Sequence, residues 1–231
     1  MPPTPLLLLP GLLENAEAFA HQVAGLGDAA SCAVADLTRG DTITALAGEA
    51  LAQAPAREFA LAGHSMGGYV ALEVMRRAPD RVKRLALLNT NARPDTPEAT
   101  QNRRRLMELA ETDFPAVGAQ LLPRLVTPAH LAQAEIAGTV TRMALATGKE
   151  AFLRQERAII GRIDSRPHLA AIACPTLVVA ARGDVLMPVE ILRELAAGIP
   201  GARLEVIEDC GHMASIERPA EVTRLLRAWL E

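Results

Sequence analysis

Six consecutive residues, Gly63-His64-Ser65-Met66-Gly67-Gly68, constrain this chain more than any others. A short apolar run, Phe59-Ala60-Leu61-Ala62 after Arg57-Glu58, leads into them. An amphipathic stretch from Tyr69 to Ala78 follows and stops at Pro79. Strand, sharp turn and helix in that order are the context in which a Gly-x-Ser-x-Gly pentapeptide places a serine at the apex of a strained turn. Such a turn needs neighbours with almost no side chain, which Gly63 and Gly67 provide, and Gly68 lets the helix lie close to the sheet. The Ser65 hydroxyl is then presented at a helix N-terminus, where unpaired N–H groups and the helix dipole favour negative charge.

The rest of the chain reads as a scaffold for that turn. Thr4–Leu9 is a continuous apolar run ended by Pro10-Gly11, the form of a strand buried on both faces. A helix is expected over Glu17–Leu26 and a second strand at Ala33-Val34-Ala35. Thr42 caps a helix with apolar positions Ile43, Leu46, Ala50 and Leu51 that runs to Pro55. After the elbow helix comes a loop, Pro79-Asp80-Arg81-Val82, and a fourth strand at Leu85–Leu88. Strands alternating with helices of this length make βαβ units and a mainly parallel sheet. The alternation breaks between 91 and 167, where only helical patterns occur. Thr96-Pro97 and Thr127-Pro128 read as caps with proline at the first helical position, and Gly148 separates two helices, the second carrying Phe152, Ile159, Ile160 and Ile163. A helical cap over 91–167, inserted into a core of 1–90 and 168–231, is the expected division, and it would sit over the carboxyl ends of the strands. Strands at Thr176–Ala180 and Leu204–Ile207 bring the sheet to about six. Helices at Pro188–Ala197 and from Pro219 onward, with Val222, Leu225, Leu226 and Trp229 on one side, complete it.

Composition narrows the partners. A net charge of −3 over 231 residues, with Arg103-Arg104-Arg105 as the one basic cluster, argues against a nucleic-acid or anionic-membrane partner. Cys32, Cys174 and Cys210 are few and widely spaced, which fits a reducing compartment and neither a disulfide framework nor a zinc site. His21, His130 and His168 have no metal-ligand spacing. The apolar run Leu6–Leu13 has no basic residue before it, so a strand is a better reading than a signal peptide, and a cytoplasmic protein is expected.

Ser65, Asp184 and His212 each fall in a loop just past an expected strand, in the chain order Ser, Asp, His. Parallel strands end along one edge, so the three can converge. A serine hydroxyl is a weak nucleophile that needs a base, here His212; Asp184 would hold the imidazole in its correct tautomer. Asp209, next to His212, is the rival acid, and Glu208 a weaker one. The end of the fourth strand offers only Asn89 and Thr90, which cannot serve. Backbone N–H groups of Met66, directly after the serine, and of Leu12, in the loop after the first strand, are the expected oxyanion donors.

With Leu9-Pro10-Gly11-Leu12-Leu13, the Ser65 motif, Arg182-Gly183-Asp184-x-x-x-Pro188, Gly211-His212, Pro79-x-Arg81-Val82 and Cys174-Pro175-Thr176, the chain resembles the α/β-hydrolase superfamily, as a small esterase-like member with a helical lid. The resemblance implies that fold and no cofactor; as a departure from the family pattern, the first antiparallel hairpin is expected to be missing. Pro10 stands where many relatives carry His, a departure bearing on substrate class. Ser at the elbow argues against dehalogenases and epoxide hydrolases, whose similar members use Asp. The expectation is a carboxylesterase for small to medium, largely apolar acyl esters, acting as a monomer or homodimer. Its pocket would be floored by Leu12, Leu13 and Met66 and roofed by Met143 or Phe152. Carbon–carbon bond hydrolases, a menaquinone-pathway lyase (whose usual Arg is replaced by Tyr69), cofactor-free perhydrolases and small-molecule receptors on the same fold are the alternatives.

Overall fold

The computed structural model describes residues 2–231. The chain runs β1 (Thr4–Leu9), a 3-10 turn (Ala16–Phe19) into α1 (Ala20–Gly25), β2 (Ala30–Val34), α2 (Ile43–Ala52), β3 (Phe59–His64), α3 (Met66–Arg77) and β4 (Val82–Leu88). Five helices follow: α4 (Pro97–Thr112), α5 (Phe114–Leu125), α6 (Pro128–Leu131), α7 (Ala134–Thr147) and α8 (Lys149–Ile160). Then come β5 (Thr176–Ala181), α9 (Val189–Gly198), β6 (Arg203–Ile207), α10 (Ala214–Glu217) and α11 (Pro219–Leu230). The six strands form one sheet in the order β2-β1-β3-β4-β5-β6, and every pairing is parallel.

Side chains alternate across this sheet, and both faces are covered. Leu7, Leu9, Leu61, Leu85 and Leu87 face α2, α3 and α9. Leu6, Leu8, Ala60, Ala62 and Leu88 face the other way and pack with Leu225, Leu226 and Trp229 of α11. Inner strands β1, β3 and β5 are therefore near-continuous apolar runs, the pattern of strands buried on both faces. The edge strands are less legible. β2 starts at Ala30, three residues before the expected start, because its register pairs Thr4 with Ala30 and its outer side leaves Ser31 exposed. β6 has the same mixed burial for the same reason, being paired on one side only.

Other boundaries differ for local reasons. Val82, expected in the loop, opens β4 after a 3-10 turn at Pro79–Arg81. The first expected helix splits, because Asn15 accepts the Glu17 N–H and starts a 3-10 turn before α1. Thr42, Thr96 and Thr127 each cap a helix by accepting an N–H three residues on. Ile163 lies beyond the end of α8 and is 51% exposed, so it does not extend that helix's apolar face. No helix among the described residues is long and apolar enough to cross a membrane.

Candidate active site

β3 continues through Gly63 and His64, which pair with Leu87 and Leu88, and α3 begins at Met66. Ser65 alone makes the turn, with φ 51° and ψ −115°. A non-glycine residue holds such a conformation only where its surroundings over-determine it. They do so by close approach. A Cβ on Gly67 would lie 2.1 Å from the Leu9 carbonyl oxygen, and one on Gly63 would lie 2.3 Å from that of Gly67. Thr90 Oγ1 donates to the Ser65 carbonyl at 2.8 Å. The other non-glycine residues with positive φ, Leu13, Asn89 and Asp209, also follow strands on this edge: β1, β4 and β6.

Three loops meet here. His212 Nε2 is 2.9 Å from Ser65 Oγ, and His212 Nδ1 is 2.7 Å from Asp184 Oδ2. An ionised carboxylate only accepts, so Nδ1 carries the proton and the Nε2 lone pair faces the serine hydroxyl. Asp184 is buried and fully engaged: Oδ1 accepts from Leu186 and Met187 N–H at 2.8 and 2.9 Å, and Oδ2 also accepts from Asn89 Nδ2 at 2.9 Å. Burial opposes its ionisation, yet the imidazole of His212 and the hydrogen bonds from Asn89 and Met187 hold its pKa down at about 2. The stability this contributes is complete above its unfolded value of 3.8 and is lost as pH falls toward 2. Asp209, the rival acid, points into solvent with 90% of its side chain exposed, beside Arg218.

The turn after β1 has its N–H groups committed, with one exception. Gly11 N–H donates to Glu14 Oε2 at 2.7 Å, and Leu13 N–H to Gln155 Oε1 at 3.0 Å. Leu12 N–H has no partner among the described residues. Met66 is the first residue of α3, a position whose N–H has no intrahelical acceptor. A Cβ on Gly11 would lie 3.1 Å from Ser65 Cβ, so this turn lies directly against the serine.

A buried pair supports both halves of the site. His64 Nε2 donates to the His212 carbonyl at 2.8 Å, and Nδ1 is 2.8 Å from Glu14 Oε1. Burial disfavours an imidazolium at His64, but the Glu14 carboxylate and the His212 carbonyl more than offset this, and its pKa is raised. Glu14 thus bridges the Gly11 turn to the ring behind the nucleophile. The His212 loop is pinned as well. Glu217 accepts Gly211 N–H at 3.0 Å and, from the helical insertion, Thr127 N–H at 2.9 Å, while Met213 N–H donates to the Leu125 carbonyl at 3.1 Å. Glu14, Gln155 and Glu217, and the role of Asn89 as a donor to Asp184 rather than an acid, escape sequence reading, because a buried polar residue carries no local mark of its distant partner. In the sequence, Glu14 stands out only as a carboxylate within an otherwise apolar turn.

Ser65 and His212 open into a cavity of about 360 Å³ lined by Leu12, Leu13, Leu106, Met143 and Met213, among others. Two expected lining residues are not there. Phe152 is fully buried and packs 6.0 Å from the Phe114 ring, in a cluster with Ala110 and Val117 that knits the inserted helices together. Met66 is fully buried in the core beneath the sheet's helices, so it can offer the cavity only its backbone.

The match to known proteins agrees with this geometry. The model of the alpha/beta hydrolase fold family matches residues 4–219. A protein of Klebsiella pneumoniae, provisionally named carbamate hydrolase RutD, is 32% identical over 204 residues, covering 83% of this chain and 74% of its own. The solved thermophilic esterase of Thermogutta terrifontis superposes with a TM-score of 0.90 at 31% identity, covering 98% of this chain and 89% of that one. The enol-lactonase of Burkholderia xenovorans LB400 gives 0.88 at 28% identity, with 98% and 91% covered. With its single parallel sheet, its strained serine turn and a match over nearly its whole length, the chain belongs to the alpha/beta hydrolase fold family.

Proposed function

We propose that this protein is a serine hydrolase that cleaves carboxylic esters of small to medium, largely apolar acyl groups through an acyl-enzyme intermediate. The observation that carries the reading is the continuous hydrogen-bonded line from Asp184 through His212 to Ser65 Oγ, ending in a cavity lined in part by Leu12, Leu13, Leu106, Met143 and Met213. Ser65 attacks the ester carbonyl as His212 Nε2 takes its proton. Leu12 and Met66 N–H receive the oxyanion, each such donor typically being worth about 3–4 kcal/mol. Collapse of the tetrahedral intermediate expels the alcohol, protonated by His212, and leaves the acyl group on Ser65. Water activated by the same imidazole then releases the acid. Asp184 stabilises the imidazolium without taking its proton, in keeping with a pKa near 2.

The Klebsiella relative's name favours a second reading, a carbamate substrate, which presents the same carbonyl with nitrogen on one side. Sustained hydrolysis of p-nitrophenyl acetate and butyrate, compared with an aryl carbamate, separates the two. On either reading Ser65→Ala is expected to lower kcat by about six orders of magnitude. A Ser65→Ala enzyme within tenfold of the wild type would overturn the mechanism.

A further inference from the structure

One wall of the cavity is built from charge. Arg103 on α4 donates through Nε to Asp95 Oδ2 and through Nη1 to Glu156 Oε2 on α8, both at 2.9 Å. Asp95 also accepts from Arg162 Nη1, and the Arg162 guanidinium lies 4.4 Å above the Tyr69 ring. All five residues line the cavity that holds Ser65. Burying two carboxylates and two guanidinium groups is costly, and apolar residues of similar volume would serve stability at least as well. The cluster therefore calls for a reason beyond packing.

The geometry is unequal. The side chains of Asp95, Glu156 and Arg162 are 3%, 0% and 7% exposed, but that of Arg103 is 21% exposed. Nη2 of Arg103 has no partner among the described residues, since its bonds use Nε and Nη1 only. Glu156 Oε1 is likewise buried without a partner. Burial raises the Glu156 carboxyl above the usual carboxylate range, against the pull of Arg103. Asp95 and Glu156 together orient the planar fork of Arg103 and leave its Nη2 unspent, so Arg103 is the group of this cluster that can offer charge and a hydrogen bond to a ligand. The charged residues and Ser65 face one cavity, whose lining also includes the apolar Leu106 and Met187.

We propose that Arg103 is a recognition residue that binds a carboxylate at the far end of the substrate, so that the preferred esters carry an anionic group separated from the ester by a short apolar chain. This rests on the ester-hydrolase reading and narrows it. The carboxylate can lie on either the acyl or the alcohol side, and substrates distinguish these.

The test compares kcat/KM for monomethyl succinate, glutarate and adipate with that for methyl esters of the equally long monocarboxylic acids, and repeats the comparison with acetyl esters of ω-hydroxy acids. In at least one series the anionic ester is expected to be preferred by about tenfold or more, with the difference in KM, and Arg103→Gln is expected to abolish the preference. Arg103→Lys should keep part of it, as a charge without the fork. Glu156→Gln, which removes an anion and leaves Arg103, should hold or increase it. A wild-type enzyme that favours the neutral esters in both series, or an Arg103→Gln enzyme with the preference intact, overturns the proposal. If Arg103→Gln does not fold, a preference that falls in Glu156→Gln does so instead. Calorimetric binding of monomethyl glutarate to Ser65→Ala, against methyl pentanoate, reads the same contact without turnover. An enzyme inert toward every ester would refute the proposed function, while equal binding of the two ligands would refute the role of Arg103.

Discussion

The rim of strand ends and the inserted helices are built by different means. On the rim, backbone meets backbone at Gly63 and Gly67 and meets the Thr90 side chain at Gly68; a Cβ at any of the three would lie within 2.5 Å of another atom, and the four non-glycine residues with positive φ among the described residues cluster there. The insertion between β4 and β5 is held by side chains. α4 and α5 bury one residue each, Ala110 and Val117, and the helices are joined by the Phe114–Phe152 contact and by the Arg103 ion pairs. Backbone approach fixes atoms to fractions of an ångström, which catalysis requires. Side-chain packing can be exchanged at modest cost. A change on the rim should therefore be read in turnover, and one in the insertion in stability or substrate choice.

The largest test of this contrast is Asp184→Asn. It preserves shape but lets the imidazole adopt the wrong tautomer, and kcat is expected to fall by about 10⁴ with the fold intact by circular dichroism. Asp209→Asn, on the same rim but in solvent, should remain active; the reverse result would assign the acid to Asp209. In the insertion, Phe152→Ala removes a fully buried ring and should cost about 3–5 kcal/mol in urea unfolding, with kcat of the folded fraction nearly unchanged. A collapse of kcat at full stability would place Phe152 in the site instead.

Glu14→Gln probes the join between the two halves of the site. A loss of about tenfold in kcat at near-constant KM is expected, since an amide has a single acceptor oxygen and can keep only one of the bonds to Gly11 N–H and the His64 ring. Its pH dependence has a definite sign. The pKa of His64 is raised above 6.5, so its pairing with Glu14 stabilises fully below pH 6.5 and fades as pH rises through the folded value. The gap in melting temperature between wild type and Glu14→Gln should narrow with rising pH; a gap that widens would exclude the ion pair. The smallest effect belongs to Arg142→Ala, which breaks an exposed pair with Glu17 linking α7 to the turn before α1. It should move the urea midpoint only slightly, by an amount that diminishes with salt.

Much of the fold was legible because its signals are local. Inner strands announce themselves as apolar runs, threonine caps and prolines start the helices, and a glycine-flanked serine between a strand and a helix admits only one kind of turn. Ser65, Asp184 and His212 could be singled out because each follows a strand of a parallel sheet. The edge strands β2 and β6 were blurred, since pairing on one side leaves their outer positions free to be polar.

The sequence by itself determined the order of strands and helices, the strained turn and the three loops that carry reactive groups, because each depends on residues within a few positions of one another. Tertiary structure alone decided the rest. Leu13 bonds Gln155 across 142 positions and His64 bonds Glu14 across 50, Phe152 turns into the helical core, and Arg103 gathers Asp95 and Glu156 at the cavity wall. Buried polar partners are chosen by proximity in space, where desolvation makes each unpaired group costly, and no local pattern records which distant residue meets that need.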